Sequence, residues 1–166
     1  MITAIIETRD DEVGLARALA ALVPAATEGI VREVVVVDYG SSDGTLAVAD
    51  AAGCTIRHAT DAGAVRHVAE AARGDWLLFL KPGAIVAPDW PIGALAFIDR
   101  ALVSGRALAS AATLRKGRVD RGWFAFARAR LLATDGRLVS KSGFLAATAS
   151  QPSTASSVAG IRRGAI

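Results

Sequence analysis

The sequence predicts an α/β fold in three layers, a mostly parallel β-sheet flanked by helices. Three observations carry this. Short apolar runs alternate with helical segments as far as about residue 114. The run EVVVVD, residues 33–38, is almost continuously β-branched, as expected of a strand buried on both faces of a parallel sheet. Pro24, Gly53, Gly74 and Gly105 stand where the helical patterns break off. Such alternation implies right-handed crossovers, and open sheets of this kind bind ligands at the carboxyl ends of their strands.

Taken in order, ITAIIET reads as a short buried strand. DDEVGLARALAALVPAA reads as a helix, with Val13, Leu15, Leu19 and Leu22 near helical spacing. Asp10, Asp11 and Glu12 sit at its positive end, and Pro24 is expected to end it. EVVVVD is the second strand. Ser41 or Ser42 can cap the helix DGTLAVADAAG, which stops at Gly53. CTIRH is a third strand, DAGAVRHVAEAARG a helix closed by Gly74, and DWLLFL a fourth strand. DWPIGALAFIDRALVSG is a helix closed by Gly105, and ALASAATL is a candidate fifth strand. RKGRVDRG reads as a charged turn or hairpin, and WFAFARARLLA as a short amphipathic helix or a strand. SQPSTASSVAG has loop composition. The expected organisation is one domain over 1–166, with a ligand-binding half at 1–105, a short half at 106–141 and a mobile tail at 142–166.

The chain is apolar, with mean hydropathy +0.39, but much of that is alanine. No apolar run approaches the roughly 18 residues of a membrane span, and the N-terminus lacks the basic start of a signal peptide. The lone Cys54 excludes an internal disulfide framework, and with only His58 and His67 a His/Cys metal cage is not expected. A reducing, cytoplasmic location fits. Charge is unevenly spread. Residues 1–80 hold 12 acids against 6 bases, whereas residues 81–166 hold 4 acids against 13 bases. The basic half can attract phosphates or anionic lipid, or be solvated surface.

The strand ends Thr8, Asp38, His58 and Lys81 are therefore the candidate functional positions. A carboxylate at Asp38 can accept an N–H such as that of a uracil ring, or it can cap the turn DYGSSDG. Asp43 is expected in the first helical turn as a dipole partner. Glycine signatures for phosphate binding, GxxxxGK[ST] and GxGxxG, are absent. Cys54 is expected to be a small packed residue. Nucleic-acid binding is not expected, because no recognised module is present.

Two resemblances follow. Asp10-Asp11, Asp38 and Lys81-Pro82 are similar to the acid pair, phosphoacceptor and lysine of a receiver domain. In receivers, however, the phosphoacceptor closes the third strand and the lysine the fifth, whereas Asp38 and Lys81 close the second and fourth. The segments ITAIIETRDDEVGLARALAALV, GIVREVVVVDYGSSDGTLAVADAAGC and AARGDWLLFLKPGAIVAPDW resemble, over about residues 1–100, the N-terminal half of a family-two glycosyltransferase of GT-A (Rossmann-like) fold. VVVVDYGSSDGT is the most specific element.

That resemblance implies transfer of a sugar from a nucleotide diphosphate-sugar in cell-wall or surface polysaccharide synthesis. It implies a nucleotide site built from Thr8, Asp38, Gly40, Arg66 and Lys81. Lys81-Pro82-Gly83 stands where the family carries its Asp-x-Asp motif, so this motif is degenerate and a divalent metal is not expected. Lys81, assisted by Arg66, can contact the diphosphate in its place. No catalytic base is evident: Asp120 and Asp135 are the only acids after residue 100. A catalytically inactive binding or interaction module on the same fold is the alternative. RGWFAFARARLL sets Trp123, Phe124 and Phe126 among Arg121, Arg128 and Arg130. This is a pattern that suits either a membrane surface with a lipid-linked acceptor, hence a peripheral place at the inner membrane face, or a packed element.

Overall fold

The computed structural model describes residues 1–59, 61, 63–105, 111–115, 118–121 and 136–149. Among the described residues seven strands form one sheet: β1 (Ile2–Thr8), β2 (Val31–Asp38), β3 (Thr55–His58), β4 (Trp76–Leu80), β5 (Ala111–Arg115), β6 (Arg118–Arg121) and β7 (Gly136–Ser140). Their order is β3-β2-β1-β4-β7-β5-β6. The first four are mutually parallel, and β7, β5 and β6 extend the sheet by antiparallel pairs. The helices are α1 (Glu12–Thr27), α2 (Thr45–Ala51), α3 (Ala64–Ala71), α4 (Trp90–Val103) and α5 (Lys141–Ala149).

The period-two alternation of strand side chains divides the core into two clusters. Ile2, Ala4, Ile6, Val36, Leu78, Leu80 and Leu138 pack with α1, α2 and α4. Ile5, Val35, Val37, Leu77 and Val139 pack with α3 and α5. The sheet is thus covered on both faces, which is why Val34–Val37 of β2 and Trp76–Leu80 of β4 are apolar without interruption. Each fully buried Ile or Leu contributes about 1.5–3 kcal/mol. The alanines act by geometry instead: Ala18, Ala25, Ala94 and Ala101 are all buried, and their small side chains let α1 and α4 lie close to the sheet. Trp90 fastens the two helices, its Nε1 donating to the Ala21 carbonyl at 3.1 Å.

Three local expectations need correction. Pro24 lies inside α1, not at its end. It removes only the N–H that would bond one turn back, near the C-terminus; the helix ends at Thr27, and Gly29, at φ 71°, turns the chain away beyond it. Gly74 does not cap α3, which ends at Ala71. Gly74 serves close approach: its N–H donates to Thr3 Oγ1 at 2.9 Å, and a Cβ there would lie 2.6 Å from the Thr3 backbone nitrogen. Neither Ser41 nor Ser42 caps α2. The Asp43 carboxylate does so from outside the first turn, accepting from the Thr45 amide at 3.0 Å and from the Glu12 amide at 3.3 Å, so one acid serves two helix starts.

The expected fifth strand appears as β5, and the charged turn as the β5–β6 hairpin. Two elements were not read from the sequence. β7 pairs with β4, and α5 carries the chain as helix to Ala149, through the start of the expected tail. WFAFARARLLA and the rest of that tail lie outside the described residues.

Candidate functional site

The carboxyl ends of β3, β2, β1 and β4 form one edge. Thr8 and Asp38 are register partners there, and the Tyr39 amide continues the pairing by donating to the Thr8 carbonyl at 3.0 Å. The loops after β1 and β2 clasp each other. Asp10, at φ 49°, accepts from the Ser42 amide at 2.7 Å, while its own amide donates to Ser41 Oγ at 3.0 Å. The Asp11 amide donates to Thr45 Oγ1, and the Asp11 side chain caps α1 at the Gly14 amide. Two loops so joined give the edge a fixed wall.

Asp38 is 1% exposed. Its Oδ1 accepts from the Ser41 amide at 3.1 Å and from Ser41 Oγ, and its Oδ2 from the Gly40 amide at 3.1 Å. His58 Nδ1 stands 3.4 Å from Oδ2, with its own ring largely exposed. Burial pushes the carboxyl upward, but the hydrogen bonds from Ser41, Gly40 and His58 outweigh it and hold Asp38 below the usual aspartate range. The turn-capping role expected of Asp38 is therefore realised. Beside it, Thr8 Oγ1 is buried with no hydrogen-bond partner among the described residues. Such an atom forgoes about 1–3 kcal/mol of hydrogen bonding and marks a place where a polar ligand group is welcome. Gly40, at φ 81°, leaves open space where a side chain would stand.

After β4 the chain turns tightly at Lys81-Pro82-Gly83. The Ala84 amide donates to the Lys81 carbonyl at 3.1 Å, and the Gly83 amide to the Gly14 carbonyl at 2.7 Å, tying this loop to the first turn of α1. A cavity of about 180 Å³ opens beside it, lined by Glu7, Lys81, Pro82 and Arg137 above Phe79. Arg137 was not singled out in the sequence; it lies on β7, directly opposite Phe79. Burial lowers its pKa from the ordinary guanidinium value.

Among the described residues, those of the loop after β4 offer no carboxylate to a divalent cation. Such ions take oxygen ligands, mainly carboxylates. Lys81-Pro82-Gly83 offers none, Lys81 and Arg137 repel a cation, and no group of three metal-ligating side chains occurs among the described residues.

The structure brings Thr8, Asp38 and Gly40 together, with Lys81 two strands from Asp38 along the same edge. Arg66 is engaged elsewhere. Its Nε donates to Glu70 Oε1 at 2.9 Å and its guanidinium reaches Thr148 Oγ1 of α5 at 3.3 Å. Cys54 is half-buried against the core, and His67 is exposed. Trp123, Phe124 and Phe126 lie outside the described residues. Among the described residues no helix is long and apolar enough to cross a membrane.

A three-layer domain whose parallel strands run 3-2-1-4 before an antiparallel extension, with its polar groups gathered at the carboxyl edge, is of the GT-A glycosyltransferase class. The chain belongs to glycosyl transferase family 2, whose sequence profile matches residues 3–152. The receiver resemblance finds no support in the sheet, where Asp38 closes the second strand and Lys81 follows the fourth.

Among solved structures, glucosyl-3-phosphoglycerate synthase from Mycobacterium tuberculosis in complex with UDP is similar at TM-score 0.57 and 20% identity, over 85% of this chain and 57% of that one. The same enzyme with Mn2+, UDP and glucosyl-3-phosphoglycerate gives 0.55 and 18%, over 85% and 57%. S. aureus TarS 1-349 gives 0.52 and 23%, over 60% and 32%. The chain thus spans little more than half the length of the synthase it resembles. No curated protein matches the sequence.

Proposed function

We propose that the protein transfers a glycosyl group from a nucleotide diphosphate-sugar to an acceptor hydroxyl without a divalent metal, in cell-wall or surface polysaccharide synthesis. The observation that carries the reading is the buried, unpartnered Thr8 Oγ1 beside Asp38, at the strand edge where ligands of open sheets bind. In this reading the base lies against Thr8 and Asp38, close to the backbone at Gly40. A ring N–H reaches Asp38 Oδ2 by displacing His58, whose 3.4 Å contact is the longest of the set. In the transfer, a bond forms from the acceptor oxygen to the anomeric carbon, the bond to the diphosphate oxygen breaks, and the acceptor's hydroxyl proton passes to water. Lys81 stabilises the charge that collects on the leaving diphosphate. Arg66 can take part only by leaving Glu70 and Thr148. The UDP bound by the M. tuberculosis synthase supports a uridine donor, and the aromatic and arginine residues at 121–130 suit a lipid-linked acceptor at a membrane surface.

A second reading, a binding module that has lost transfer, is favoured by the same Lys81-Pro82-Gly83 loop, which offers no carboxylate for a metal.

Calorimetry with UDP, GDP, TDP and their sugar conjugates, with and without manganese, tests both. Binding without metal that weakens in Asp38→Ala and Thr8→Val supports the donor site. Thr8→Val is the cleaner variant, because it removes an oxygen with no partner and should not destabilise the fold. Binding that requires manganese overturns the metal-free reading, and no nucleotide binding overturns the donor site. Tight binding with neither transfer to an acceptor nor hydrolysis favours the module.

A further inference from the structure

We infer that Glu7 is the general base of the transfer, the group that takes the acceptor's hydroxyl proton and hands it on to water. This deepens the nucleotide-sugar reading above and rests on it for the reaction, but on separate geometry for the residue.

Sheet order and strand alternation set its place. β1 lies between β2 and β4, and its side chains alternate between the two faces. Ile6 packs on the side of α1, α2 and α4, and Thr8, two residues on, shares that face. Ile5 packs toward α3 and α5, so Glu7 stands on the opposite side of the strand end from Thr8. Two neighbouring residues therefore serve different ends. Thr8 stands beside Asp38, where the nucleobase is read. Glu7 lines the cavity of about 180 Å³ that Lys81 and Pro82 border from β4 and Gly136 from β7. Lys81 meets the leaving diphosphate in the reading above, so Glu7 and the breaking bond share one cavity. At about 30 Å³ per water it has room for roughly six waters, and hence for the reacting end of a sugar with an acceptor hydroxyl.

The carboxylates of the loops after β1, β2 and β3 are committed to backbone amides. Asp10 accepts from Ser42, Asp11 from Gly14, Asp38 from Gly40 and Ser41, Asp43 from Thr45 and Glu12, and Asp61 from Gly63 at 2.6 Å. Asp89, at the start of α4, does not line the cavity. Glu7 differs from all of them. Its Oε2 accepts from the Tyr39 hydroxyl at 2.8 Å, while Oε1 accepts no hydrogen bond among the described residues. One oxygen anchored and one free is the arrangement a base needs: the carboxylate is oriented, yet it keeps a lone pair for an incoming hydroxyl. As the acceptor oxygen bonds to the anomeric carbon and the diphosphate oxygen leaves with its electron pair, the hydroxyl proton moves to Glu7 Oε1. Glu7, then neutral, returns it to water.

The test is release of UDP from UDP-glucose, UDP-galactose and UDP-N-acetylglucosamine by the whole chain, with water as acceptor, with and without manganese. Calorimetry with UDP runs alongside. Wild type should release UDP from at least one of the three. Glu7→Gln should lower kcat by roughly 100- to 10,000-fold, the usual contribution of a positioned base, with KM and UDP affinity close to wild type. Tyr39→Phe, which frees the carboxylate but keeps it, should lose less. Added formate should restore part of the rate to Glu7→Ala, which a merely structural role of Glu7 would not allow. The inference is overturned if Glu7→Gln turns over as wild type does, if it loses UDP affinity along with rate, if formate restores nothing, or if Asp120→Asn or Asp135→Asn removes the rate in its place. UDP binding without release from any of the three sugars overturns the base and keeps the donor site. No UDP binding by wild type removes the nucleotide-sugar reading, and the base with it.

Discussion

The Tyr39 hydroxyl donates to Glu7 Oε2 at 2.8 Å, across the edge where β1 and β2 end. Burial first, then the hydrogen bond and the negative charge of Glu7, push the Tyr39 phenol up to about 12. Tyr39 is the chain's sole tyrosine, so tyrosinate absorbance reports on it alone. In the folded protein that absorbance should rise only near pH 12, and Glu7→Gln should bring the midpoint down toward the ordinary value of about 10. A raised phenol contributes stability that is complete below about pH 10 and is lost as pH climbs through the folded value. Denaturant melts should therefore show wild type losing its advantage over Glu7→Gln in that alkaline window. A midpoint near 10 in wild type would mean that the pair does not form.

Asp38 predicts the opposite pH dependence. Its carboxyl is held low by Ser41, Gly40 and His58 against the effect of burial. Its stabilisation is therefore present above the unfolded value of about 4 and is lost as pH falls below it. Asp38→Asn should destabilise the fold by about 1.5–3 kcal/mol at neutral pH, the range for hydrogen bonds to a charged group. The gap from wild type should close in acid. Urea melts across that range decide it, and a gap independent of pH would rule out the ionised carboxylate as the cause.

Gly74→Ala should be among the more damaging small substitutions. The added Cβ would stand 2.6 Å from the Thr3 nitrogen and 2.9 Å from the Met1 carbonyl, both backbone. Neither can move without opening the β1–β4 pairing, where the Trp76 amide also donates to the Met1 carbonyl at 3.2 Å. A loss of roughly 1–3 kcal/mol or more is expected, as for overpacked cores. Thermal melting near the wild-type temperature would show that β1 can shift there freely.

The first four strands and their helices were legible because each is announced locally. EVVVVD is strand-like by composition, and Gly53 and Gly105 end helices with positive φ. Where the sequence misled, one residue had two possible roles. Gly74 ends a helical pattern but serves a strand crossing. Pro24 breaks helices in general, yet it stands within the last turns of α1, where little is lost. Ser41 has the composition of a cap but is bound to Asp38, while Asp43 takes the helix start. β7 was missed because a five-residue strand such as GRLVS carries no measurable period, and its pairing with β4 spans some sixty residues of chain.

By itself the sequence determined the alternation of strands and helices, the two-sided burial of the parallel strands, and the family, because these depend on neighbouring residues and on short motifs. Tertiary structure alone decided which polar groups meet. Thr8 beside Asp38, Glu7 beneath Tyr39, and Arg137 over Phe79 are all pairs between strands, set by sheet order and register. Register fixes which face each side chain occupies, and no local pattern encodes the partner found on the next strand.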